Sequence, residues 1–363
     1  MEEYRELWSP TAAPERVRTV RIEPPGGFPA AYGGRLDSFH MAYESWGRPD
    51  APGGTVLLVH FLTSDTHATG EYDGTPRGWW EDLVGPGRAI DTDRFFVVCP
   101  NLLGGCHGST GPRFPAPDGD AWLDRFPLLT PRDLQRAQRL FLHEIGAGKP
   151  TLVVGPSMGG MIAWEWAADP GAAERVVSVA APAVASPHQI GLNWLQRRAI
   201  ALDGTEGETP ASRRGQAVAR GVGMLGYRAP EGLWEKFGRS WFREPGPDLA
   251  SPGLFNVESW LHHHGRKLPK KFDARTWRLF ARAMDLHDTG EGRGGVARAF
   301  SEDGTAEFLA VGISSDHLYP AAEIRRSAKE AGATYREIES PHGHDAFLLE
   351  TDALAGLLAD FLA

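Results

Sequence analysis

Ser157 stands in the stretch GPSMG, with Gly155 two residues before it and Gly159 two after. A serine between glycines, at the end of an apolar run, is the pattern of a nucleophile carried on a sharp strand-to-helix turn, where only small neighbours fit. A hydroxyl is a weak nucleophile at neutral pH; it needs a base, and the base needs a group that orients it. His344 in SPHGHDAFL and Asp316, just past FLAVGISS, are the candidates. His342, His317 and Asp345 are rivals by proximity, although adjacent side chains seldom face each other. Acyl transfer also needs N–H donors for the oxyanion. The backbone of Met158, directly after the serine, offers one, and the loop HFLTSDTH offers the other at Leu62.

These groups need a scaffold that holds distant segments at one edge. Short apolar runs recur: TVLLVH (55–60), FFVVCP (95–100), TLVVG (151–155), RVVSVAAP (175–182) and FLAVGISS (308–315). Continuous apolar runs suit strands buried on both faces of a parallel sheet. Helical patterns lie between them. In TPRDLQRAQRLFLHEIG, Thr130 is the expected N-cap, Pro131 the first helical residue and Gly146 the stop. MGGMIAWEWAA (158–168) is expected as a helix after the serine, and 344–363 as a closing amphipathic helix. VRTVRI and SFHMAYESWG read as antiparallel edge strands. Alternation of this kind argues a doubly wound, mostly parallel central sheet flanked by helices, and the serine turn resembles the nucleophile elbow of the α/β-hydrolase fold. The partners then follow in the order serine, acid, histidine, which fits Ser157, Asp316 and His344. Residues 186–300 break the rhythm and read as a helical lid inserted between two parts of the core, 1–185 and 301–363.

Composition narrows the function. The chain has 363 residues, 41% hydrophobic and 23% charged, enough for a substantial core. Its formal net charge of −9, without clustered Lys and Arg, argues against a nucleic-acid partner. Cys99 and Cys106, the two cysteines, are too few for a disulfide framework and fit a reducing cytoplasm. The acidic opening MEEYRELWSP has no apolar signal-like core, and no run is long enough to span a membrane.

The stretches AYESWG, HFLTSDTH, GWWEDLVGPGRAIDTDRFFVVCPNLLGGCHGSTGP, FPLLTPRDLQRAQ, GPSMGGMIAWEWA, FNVESWLHHHG, RAMDLHD and GHDAFL resemble the homoserine O-acetyltransferase family of the α/β-hydrolase superfamily. The resemblance implies ping-pong transfer of acetyl from acetyl-CoA, through Ser157, to the side-chain hydroxyl of L-homoserine in methionine synthesis. It implies no bound cofactor or metal, a cytoplasmic homodimer, and the triad Ser157, Asp316 and His344. It also implies that Arg220 grips the substrate carboxylate, that Tyr227 keeps its family spacing from Arg220, that Asp345 pairs with the substrate ammonium, and that Thr63 touches the acceptor. Where the family commonly has alanine, glycine, glycine and threonine, this chain has Phe61, Ser64, Pro156 and Gly226. Phe61 shortens the expected pocket, so L-serine is the alternative acceptor; an esterase of the same fold is the alternative reaction. HFLTSDTH and NLLGGCHG resemble the acetyl-using rather than the succinyl-using branch.

Two other features have plain readings. The run His262, His263, His264 is expected to pack or solvate the lid, because adjacent helical side chains diverge and metal-binding pairs favour four-residue spacing. GEGRGG (290–295) lacks the strand-before-helix setting of a phosphate loop.

Overall fold

The computed structural model describes residues 16–71, 77–202, 212–270, 272–301 and 304–363; the opening MEEYRELWSP lies outside them. Eight strands build the central sheet: β1 (Arg18–Ile22), β2 (Phe39–Trp46), β3 (Thr55–Leu58), β4 (Phe96–Pro100), β5 (Leu152–Pro156), β6 (Arg175–Val179), β7 (Glu307–Ile313) and β8 (Thr334–Ile338). Their spatial order is β1-β2-β4-β3-β5-β6-β7-β8. From β4 to β8 every pairing is parallel, while β2 runs antiparallel to both β1 and β4. SFHMAYESWG is therefore an interior antiparallel strand, and of the two expected edge strands only β1 lies at an edge.

The apolar runs become strands because both sheet faces are covered. Along β5, Leu152 and Val154 enter one core cluster and Val153 the other, the period of two that a pleated strand imposes. One face is packed by α1 (Pro131–Glu144), α2 (Met158–Ala167) and α8, the helix Ala321–Ala331; the other by residues 80–90 and α9 (Thr351–Leu362). Five further helices, α3 (Pro187–Leu202), α4 (Ser212–Gly226), α5 (Pro230–Phe237), α6 (Asn256–Lys267) and α7 (Ala274–Asp285), lie in the chain between β6 and β7.

The start of α1 matches its expectation: the Thr130 side chain accepts from the Asp133 N–H, and the Asp133 carboxylate accepts from the Thr130 N–H in return. All ten residues of α2 are buried. Its Trp164 and Trp166 donate ring N–H groups to Ala181 O and Gln138 Oε1, at 2.9 and 2.8 Å, so each indole buries without an orphaned donor. Burial of each such side chain contributes roughly 1.5–3 kcal/mol, which anchors the helix under the serine.

The closing helix is not continuous. A short 3-10 turn at Gly343–Asp345 leads into Ala346–Leu349, and Glu350, at φ −97° and ψ 48°, separates this from α9.

Candidate active site

Ser157 occupies the turn between β5 and α2 with φ 56° and ψ −122°, a conformation that a side chain seldom adopts. The flanking glycines explain how the turn closes. A Cβ at Gly159 would lie 2.1 Å from Val59 O, and one at Gly155 would lie 2.4 Å from Gly159 O. The first contact would force the turn away from the segment after β3, and the second would spread the end of β5 from the start of α2. Strain at Ser157 is therefore held by close packing on both sides.

The hydroxyl of Ser157 donates to His344 Nε2 at 2.8 Å, and His344 Nδ1 donates to Asp316 Oδ2 at 2.7 Å. Asp316 Oδ1 accepts the N–H groups of Leu318 and Tyr319, at 2.8 and 3.0 Å, which fixes the carboxylate at the carboxyl end of β7. The His344 ring sits against Tyr319, Phe347 and Tyr227, with centroids 4.9, 5.4 and 5.9 Å away. The rivals fall elsewhere. His317 is exposed, and His342 faces Glu350 at 3.9 Å. Asp345 does not bond the imidazole; its nearest charged partner is Arg228.

Leu62 lines the cavities beside Ser157. Among the described residues, neither its N–H nor that of Met158 donates to a protein acceptor. Two buried anchors that the sequence reading did not single out hold this loop. His60 donates from Nδ1 to Phe61 O at 2.9 Å while its Nε2 accepts from the Leu102 N–H at 3.2 Å. Burial holds this imidazole below its ordinary range, matching a neutral ring that donates on one side and accepts on the other. Further along, Glu44 on β2 accepts from Thr66 Oγ1 at 2.7 Å and meets His67 Nδ1 at 3.1 Å. The bond to Glu44 raises the pKa of His67, more than burial lowers it.

A cavity of about 170 Å³ opens beside the serine, and Thr63, Arg220, Tyr227 and Asp345 all line it with Ser157 and His344. The Arg220 guanidinium lies over the Tyr227 ring at 5.7 Å, and its buried Nη1 has no hydrogen-bond partner among the described residues. Burial pushes the Tyr227 hydroxyl up, and Arg220 partly opposes this. Asp345 is less free than expected, because Arg228 Nε lies 2.9 Å from its Oδ2. Burial raises the Asp345 carboxyl; the charges of Arg228, His344 and Arg220 pull it back down. Arg228, directly after Tyr227, was not singled out in the sequence, because the carboxylate it neutralises comes from a remote segment.

His264 also lines this cavity, whereas His262 and His263 are exposed. Burial first, and then the charge of Arg220, lower the His264 pKa to about 4, which leaves the ring neutral. Among the described residues no cluster of three or more His, Cys, Asp or Glu is placed to hold a metal ion. Cys106 is buried, and desolvation holds its thiol well above the ordinary range. Phe61, whose ring meets Trp79 and Phe347 at 5.6 and 5.3 Å, forms one wall of the cavity.

A strained serine, a histidine and a carboxylate in one hydrogen-bonded row, at the carboxyl edge of a parallel sheet, define the α/β-hydrolase class; the family model described as the alpha/beta hydrolase fold matches residues 55–351. A homoserine O-acetyltransferase of Clavibacter michiganensis subsp. michiganensis is 43% identical over 93% of this chain and 90% of its own length. The crystal structure of homoserine O-acetyltransferase from Bacillus anthracis superimposes with a TM-score of 0.85, at 26% identity, over 96% of this chain and 98% of that one. Esterase E22 shares the fold at a TM-score of 0.84 and 24% identity, over 96% of this chain and 100% of its own. The chain belongs to the homoserine O-acetyltransferase family.

Proposed function

We propose that this enzyme transfers acetyl from acetyl-CoA to the side-chain hydroxyl of L-homoserine, through an acetyl-Ser157 intermediate. The observation that carries the reading is the row from Ser157 through His344 to Asp316, opening into a cavity that also presents the Arg220 guanidinium, whose buried Nη1 has no hydrogen-bond partner among the described residues. In the first half-reaction Ser157 Oγ attacks the thioester carbonyl as His344 Nε2 takes its proton. The N–H groups of Leu62 and Met158 receive the oxyanion. Collapse breaks the C–S bond, and His344 returns the proton to the departing thiolate. In the second half, homoserine loses its hydroxyl proton to His344, attacks the acetyl ester, and leaves as the O-acetyl product with Ser157 restored. Asp316 orients the imidazole throughout and stabilises its charged form.

Arg220 would take the acceptor carboxylate, with Tyr227 and Thr63 shaping the pocket around it. Two arginines face one carboxylate in this cavity, and His264 is neutral, so an added carboxylate balances the charge. Asp345 would then share its charge between Arg228 and the substrate ammonium. The helices of 186–300 would act as the lid that excludes water, in favour of transfer over hydrolysis. A cytoplasmic homodimer serving methionine synthesis is the setting that goes with this reading; no described helix is long and apolar enough to cross a membrane.

L-Serine is the alternative acceptor, because the Phe61 ring forms part of the cavity wall. One methylene is worth only about 1–3 kcal/mol of discrimination. Purified enzyme supplied with acetyl-CoA and each amino acid separates the readings by kcat/KM. Homoserine preference with an acetyl adduct on Ser157, absent in Ser157→Ala, is the expected result. Serine preference overturns the acceptor, thiol release indifferent to any amino acid makes the enzyme an esterase, and undiminished turnover by Ser157→Ala removes the nucleophile.

A further inference from the structure

A larger cavity, of about 400 Å³, adjoins the one at the serine, and Arg228 lines both. Lys236 and Phe237 of α5, Trp260 of α6 and His342 of the histidine loop form much of its wall. The Phe237 and Trp260 rings lie 5.3 Å apart, tilted by 47°. Lys236 Nζ stands 5.4 Å from the first ring and 5.6 Å from the second. Glu235 is the acidic residue in the lining. Basic groups beside a half-buried pair of aromatic rings that line the cavity suit a ligand that is both polyanionic and flat. Phosphate oxygens take the lysine and guanidinium donors, and a purine lies against the indole.

Another cationic hollow, of about 380 Å³, is lined by Arg197, Arg275, Arg278 and Arg282. Its arginines face Asp124 and Asp285, and it shares no lining residue with either cavity at Ser157. A donor whose acyl group must reach Ser157 on a flexible arm needs continuity with the serine, and Arg228 supplies that for the first cavity alone.

We propose that the cavity of Lys236, Phe237 and Trp260 holds the nucleotide end of the thioester donor, with Lys236 and Arg228 on its phosphates and Trp260 against its base. The proposal rests on the acetyl-CoA reading above. It gives Arg228 two roles, an ion-pair partner for Asp345 on the acceptor side and a phosphate contact on the donor side.

Lys236→Ala, Lys236→Glu and Trp260→Ala are each assayed with acetyl-CoA and with S-acetylpantetheine, which lacks the nucleotide. Lys236 is exposed, so its variants retain the fold. The KM for acetyl-CoA should rise roughly 5- to 20-fold for the alanine variants, and further for Lys236→Glu, at unchanged kcat. Use of S-acetylpantetheine should stay at the wild-type level, and ADP titrated into wild-type enzyme should bind and lose affinity in Lys236→Glu. Equal losses with both donors, or an acetyl-CoA KM unmoved in all three variants, overturn the cavity assignment while leaving the transferase reading intact. Wild-type enzyme that acetylates homoserine from neither donor removes that reading and the proposal with it.

Discussion

Arg220→Met separates binding of the acceptor from every other role of the site. The substitution keeps a long unbranched side chain and deletes a half-buried guanidinium whose buried Nη1 has no hydrogen-bond partner among the described residues. Before a substrate carboxylate arrives, that Nη1 has lost its water without gaining a bonded partner, which costs stability. The variant should therefore be at least as stable as the parent by thermal melt. With homoserine bound, the same deletion removes two charge-assisted hydrogen bonds and leaves the substrate carboxylate desolvated. A loss of about 2–4 kcal/mol corresponds to a fall of roughly 30- to 1,000-fold in kcat/KM for homoserine. The acetyl-donor half-reaction does not involve the acceptor, so the burst of thiol on mixing with acetyl-CoA should be unchanged. A chromogenic thiol reagent reads that burst cleanly, since Cys99 and Cys106 are buried with thiols held well above the ordinary range. A smaller burst in proportion to the steady-state loss, or a clearly lowered melting temperature, would refute the reasoning and make Arg220 a structural residue.

Gly159→Ala sets a methyl group 2.1 Å from Val59 O, a backbone atom that cannot swing away. Denaturant melts should show a loss of about 1–3 kcal/mol, accompanied by a lower acylation rate as the loop carrying Leu62 is displaced; full stability would show that the turn is looser than described. Burial holds His287, whose Nε2 meets Pro182 O at 2.9 Å, at about 4 instead of 6.5. The native state then binds fewer protons than the unfolded chain between those values, so this residue's contribution is complete above pH 6.5 and is lost as pH falls toward 4. His287→Gln should flatten that part of the stability profile measured by urea titration; an unaltered slope would clear His287.

The core and the serine turn were legible because local chemistry dictates them. LVVG within TLVVG is apolar and becomes a strand buried on both faces, and Thr130 with Asp133 closes the expected cap. Ser157, Asp316 and His344 could be matched to one edge because the parallel topology brings the strand ends together. The break at Glu350 could not be read, because apolar periodicity continues through it; what departs is the backbone, while its carboxylate accepts from Ser340 Oγ at 2.9 Å. Divergence of three consecutive histidines follows from helical geometry, but which one turns inward depends on how α6 lies over the cavity. The pairing of Asp345 with Arg228 joins segments remote in sequence, so neither residue alone reveals it.

Tyr227 to Ala229 and Gly343 to Asp345 are stitched together. The Asp345 N–H donates to Tyr227 O at 3.2 Å, Gly343, at φ 69°, leaves room for Ala229 N, and Arg228 meets Asp345. His344 sits in the middle of one side of that seam. Mutational drift that retunes which amino acid is accepted must therefore pass through the same few backbone atoms that aim the imidazole. New preferences acquired on the Tyr227 side should arrive with altered proton transfer, and restoring speed should demand compensating changes around Gly343.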